Sequence, residues 1–118
     1  MSRMRFCLAV AAAAVVVAVL VPLAQARTHR PKAQTVTVTM TEYKFTFGGK
    51  VHAGKVTFDL VDHGKLAHDL QIAGKTSAIV QPGKTGKLVV TLKKGKYPYK
   101  CTVPGHAALG MKGTLRVA

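Results

Sequence analysis

Carboxylates are scarce in this chain: 4 Asp and Glu stand against 18 Lys and Arg, a formal net charge of +14 over 118 residues. The four are Glu42, Asp59, Asp62 and Asp69, and none is spaced as a catalytic acid–base pair, so an enzyme is not expected. Cysteine is equally sparse. Cys7 falls in a leading apolar run, which leaves Cys101 alone in the remainder and excludes an internal disulfide there. No stretch beyond residue 26 sustains a helical period, and there is no internal repeat. The lysines are scattered singly, without an aromatic stacking platform or a recognition helix, so nucleic acid is not an expected partner.

What is present begins with an export signal. Arg3 and Arg5 make a positive start, Phe6 to Leu23 an apolar core, and Ala24-Gln25-Ala26 a small-residue cleavage site, so residues 1–26 read as a secretory signal peptide. An uncleaved anchor is the competing reading, because the apolar run reaches the lower limit for crossing a bilayer. Residues 27–34 are basic and polar with Pro31, the composition of a mobile tether. Residues 35–118 then suffice for one domain. Only Arg3 and Arg5 leave with the signal, so the mature part keeps 16 basic residues against 4 acidic ones and favours acidic partners or anionic surfaces.

Strand patterning runs through that domain. Val36, Val38 and Met40 alternate with threonines, and Tyr43, Phe45 and Phe47 continue after a change of phase that predicts a bulge or bend. Val56, Phe58 and Leu60 form a second alternation, and a strand over 68–73 would turn His68, Leu70 and Ile72 to one side. Leu88, Val90 and Leu92, then Tyr97, Tyr99 and Cys101, and a closing run from Met111 to Val117 complete the pattern. Short strands broken by Gly and Pro predict an all-β, antiparallel Greek-key sandwich.

One loop carries the chemistry. Cys101, His106 and Met111 are evenly spaced, and a thiolate, an imidazole and a thioether together suit copper better than a hard cation. His68, flanked by apolar residues, is the candidate fourth ligand. Two histidines and a cysteine with a weak axial methionine form the ligand set of blue-copper electron-transfer sites. His63, His52 and His29 are isolated, and Met40 reads as core.

With His68, Cys101, His106 and Met111 in place, residues 35–118 resemble the small cupredoxins, and the four-residue gaps on both sides of His106 are most similar to auracyanin and rusticyanin. The resemblance implies one type 1 copper ion and an exported, monomeric carrier of single electrons, periplasmic or extracellular, either free or associated with a membrane surface. Its donor and acceptor would be acidic redox proteins docking near His106, where Pro104, Gly105, Ala107, Ala108 and Leu109 are apolar or small. A copper carrier or store delivering the metal to a cuproenzyme is the alternative, and zinc at a Cys-His-His site fits least. The chain departs from the family at Asp69, where Asn or Ser is common. A carboxylate there is expected to bind the Thr102 amide or hydroxyl and to tie the two ligand segments together. His68 is expected to place its second ring nitrogen on a buried carbonyl.

Overall fold

The computed structural model describes residues 11–20 and 32–118. Residues 11–20 have no regular secondary structure and are exposed, and among the described residues no helix is long and apolar enough to cross a membrane. The cleavage site over 24–26, Cys7, His29 and most of the tether lie outside the described residues.

Eight strands follow: β1 (Gln34–Thr41), β2 (Lys44–Phe47), β3 (Gly54–Asp62), β4 (Gln71–Ile72), β5 (Lys75–Thr76), β6 (Thr85–Leu92), β7 (Gly95–Lys100) and β8 (Lys112–Val117). They form two four-stranded sheets, ordered β2-β1-β3-β6 and β5-β4-β7-β8, and the chain passes between sheets after β3, β5 and β6. This is the expected all-β sandwich. The alternating residues face inward as the period-two pattern requires. Val38, Met40, Val56, Phe58 and Leu60 are fully buried in the core between the sheets, each large side chain there contributing roughly 1.5–3 kcal/mol.

Three details depart from the sequence reading. The phase change after Met40 is a hairpin turn, since β1 and β2 pair antiparallel with Met40 opposite Phe45. The sandwich is not wholly antiparallel, because β1 runs parallel to β3 from Gln34 opposite Val56 to Met40 opposite Asp62. A β1–β2 hairpin satisfies one edge of β1, and the chain then crosses over to bring β3 to the other edge in the same direction as β1. The strand expected over 68–73 reduces to a single bridge between His68 and Val80 followed by the two residues of β4. His68, Leu70 and Ile72 are buried as expected, but Asp69 between them is buried too, so burial does not alternate here.

Candidate metal centre

One end of the sandwich collects the candidate ligands. β7 delivers Cys101 immediately after Lys100, and β8 starts immediately after Met111. Between them, residues 104–110 form consecutive turns closed by bonds from the His106 amide to the Val103 carbonyl (3.1 Å) and from the Met111 amide to the His106 carbonyl (3.1 Å). The Cys101 amide donates to the Met111 carbonyl at 3.0 Å, which seals the loop. Gly105 and Gly110 adopt positive φ of 85° and 109°, a backbone region other residues seldom occupy.

Into this loop His68 projects from its bridge with Val80, where both backbone bonds form, at 3.0 and 2.8 Å. His68 Nδ1 lies 3.1 Å from His106 Nδ1, and Cys101 Sγ lies 3.6 Å from the same His106 nitrogen. The three ligand atoms all fall within 4.8 Å of one another. His68 is 0 % exposed, Cys101 1 % and His106 8 %. A thiol and two converging ring nitrogens, with no carboxylate among them, form a borderline-soft donor set that fits copper. Burial pushes the Cys101 thiol up from its ordinary pKa, so a thiolate there calls for a cation to offset its charge. Met111, fully buried, is brought to the same end by its backbone bonds to Cys101 and His106.

The outer ring nitrogen of His68 has a partner that sequence reasoning did not find. Nε2 meets the Glu42 Oε1 carboxylate oxygen at 3.3 Å, where a backbone carbonyl was expected. Glu42 sits in the β1–β2 turn, and the same Oε1 accepts the amides of Lys65 (2.6 Å) and Leu66 (2.7 Å). Those backbone donors, Leu66 foremost, hold its carboxyl below the usual carboxylate pKa, so Glu42 stays anionic at neutral pH. Gly64 makes the approach possible, since a Cβ there would collide with the Glu42 carboxylate. Such an outer hydrogen bond fixes a ligand's tautomer and ring orientation. Tyr43, read from sequence as core or sheet surface, packs its ring edgewise on His106 with centroids 5.2 Å apart. The only signal for either residue was the phase change that the β1–β2 turn explains.

Asp69 behaves as expected. Oδ1 accepts the Thr102 amide at 2.6 Å and Oδ2 bonds the Thr102 hydroxyl, which ties the His68 segment to the residue after Cys101. His63 and His52 are exposed and stand apart from the site, and Met40 is fully buried core.

A family model described as copper binding proteins, plastocyanin/azurin family, matches residues 24–118. The chain belongs to that family. This cupredoxin shares its fold with solved auracyanins. Auracyanin B superposes with a TM-score of 0.63 at 23 % identity, covering 72 % of this chain and 88 % of that one. Auracyanin A, a "blue" copper protein from Chloroflexus aurantiacus, gives 0.60 at 21 % identity, over 74 % of this chain and 100 % of that one. A copper-containing nitrite reductase from Thermus scotoductus matches at 0.56 and 20 % identity, over 73 % of this chain but 28 % of its own. At such identities the likeness carries the fold alone. No curated protein sequence matches the chain. Family and donor set together assign one copper ion as the cofactor, suited to the His68, Cys101 and His106 cluster.

Proposed function

We propose that the protein is an exported type 1 copper protein that carries single electrons between redox partners, in which His68, Cys101 and His106 would hold the copper and Met111 would add a weak thioether donor. The carrying observation is the convergence of two Nδ1 atoms and one Sγ within 4.8 Å at a buried end of the sandwich. Copper, when bound, supplies the one-electron couple; the protein's residues hold the donors in one arrangement so that little nuclear movement accompanies a change of charge. Burial of all four residues supports an electron carrier over a copper carrier, because a delivery site needs its donors within reach of the receiving protein.

The protein is not itself an enzyme in this reading, since four protein donors leave no position for substrate. It acts as a monomer in the periplasm or outside the cell, free or at a membrane surface, after loss of residues 1–26. Its partners are acidic redox proteins that approach near His106. Leu109, 61 % exposed in the ligand loop, and Leu66, 44 % exposed two residues before His68, support an apolar contact at that end; weak electron-transfer encounters need only a small one.

An optical spectrum of the copper(II)-loaded protein tests the proposal. Strong visible absorption from the thiolate-to-copper(II) transition is expected. A colourless protein that binds copper(I) alone would instead identify the copper carrier.

A further inference from the structure

We infer that the outer face of the second sheet, centred on Lys100 and Lys112, is a docking surface for an acidic protein partner. Alternate residues of a strand share a face, and the exposed ones here are Lys96, Pro98 and Lys100 on β7 and Lys112, Thr114 and Arg116 on β8. The register sets Lys96 opposite Arg116 and Lys100 opposite Lys112. Like charges directly opposite one another destabilise a sheet, so the fold gains nothing from these two pairs. Nor does the protein neutralise them itself. The carboxylates among the described residues are Glu42, Asp59, Asp62 and Asp69, and none lies in β4, β5, β7 or β8. Glu42 and Asp69 are engaged at the metal centre, Asp62 is buried, and Asp59 pairs with Lys87 at 3.1 Å on the first sheet.

On the first sheet no cation faces another: Lys44 lies opposite Thr41, Lys55 opposite Thr91 and Lys87 opposite Asp59. Its exposed strand residues include Thr35, Thr37, Thr46, Thr85 and Thr91, and its Lys87 has a counter-charge. The cationic face is also shaped. Pro98, Lys100, Lys112 and Thr114, with the β4–β5 turn at Ala73 and Gly74, line a groove of about 810 Å³. A groove walled by a turn suits a protuberant acidic segment better than a lipid surface.

Placement gives the surface its use. Lys100 directly precedes Cys101 and Lys112 directly follows Met111, so an acidic segment held by this pair lies one residue away from two proposed ligands. This deepens, and rests on, the electron-carrier reading: cationic contacts orient the partner beside the apolar rim at Leu66 and Leu109. Complementary charge of this kind raises encounter rates and sets orientation.

The test compares two double substitutions that remove the same charge from the copper-loaded protein, Lys100→Gln with Lys112→Gln, and Lys44→Gln with Lys55→Gln on the first sheet. A synthetic oligoglutamate peptide at low salt serves as probe, with vesicles of phosphatidylglycerol in phosphatidylcholine measured alongside. The first pair is expected to weaken peptide affinity about fivefold to tenfold and the second by less than about twofold. Thermal stability of the first double variant should be no lower than the parent's, because its substitutions remove a repulsive pair. Equal weakening by both pairs would reduce the effect to net charge and overturn the surface. Dependence on Lys100 and Lys112 for vesicles but not for peptide would overturn it in favour of a membrane. The blue band of the parent, recorded in the same samples, reports on the electron-carrier reading separately, since its absence leaves the peptide comparison intact.

Discussion

The two flanks of the metal centre are built in different ways. On one flank, Cys101, His106 and Met111 occupy a single loop whose backbone closes on itself, through bonds from the Cys101 amide to Met111, from the His106 amide to Val103 and from the Met111 amide to His106. On the other, His68 stands alone, and what orients it comes from far along the chain. Val80 holds its backbone, Glu42 its outer nitrogen from 26 residues away, and Asp69 ties its segment to Thr102 across 33 residues. A loop that closes on itself can keep its donors together wherever it is placed. A lone histidine becomes a ligand only when the rest of the fold aims it. The loop flank should therefore decide whether copper is held as a blue site, and the His68 flank should tune it.

Substitution at the thiol is the strongest way to break that contrast. Cys101→Ala is expected to abolish the thiolate charge-transfer band while far-UV circular dichroism keeps its β signature, because the core strands pack without the metal. Retention of the band would remove Cys101 from the ligand set. Asp69→Ala should leave copper bound yet lower stability by about 2 kcal/mol, since the Thr102 amide and hydroxyl lose a charged acceptor. For a domain of this size, thermal unfolding would then fall by roughly 10 °C. An unchanged melting temperature would mean that the two flanks hold together without this tie.

Smaller effects should appear in the reduction potential. Met111→Leu is expected to retain copper and raise the potential, because losing the proposed weak thioether donor disfavours the oxidised ion; voltammetry that finds no change would remove Met111 from the proposed ligand set. Glu42→Gln should raise it as well, with the blue band kept, since one negative charge beside His68 is lost while a hydrogen-bond acceptor remains. Gly64→Ala offers an independent route to the same end, because its Cβ displaces the Glu42 carboxylate. If the two variants move the potential in opposite directions, Glu42 acts on His68 through something other than its charge. Asp69→Asn, which keeps one acceptor for Thr102, is expected to raise the potential least.

Much of this was legible in the residues alone. The spacing of Cys101, His106 and Met111 was readable because all three lie in one loop, where sequence distance limits spatial distance. Period-two alternation marked the buried faces of β1, β3 and β6, because burial in a sheet follows residue by residue. The Asp69–Thr102 bond was foreseeable too, since each residue directly follows a proposed ligand and so must lie near the same centre. Even the anomalous surplus of lysine showed in the composition.

Other features depended on how distant segments meet. Nothing near Glu42 marks it as the partner of His68, because that contact forms only once the β1–β2 turn lies against the 62–66 loop. The parallel pairing of β1 with β3 likewise follows from where the chain crosses, which local pattern does not encode. Lys100 and Lys112 face each other only through the β7–β8 register. By itself, then, the sequence determined the donor types, the inward faces and the sign of the charge, all of which are set by residue chemistry and short-range spacing. The tertiary structure decided which carboxylate holds His68 and where the unneutralised charge collects, because both require groups far apart in the chain to be fixed within a few ångströms.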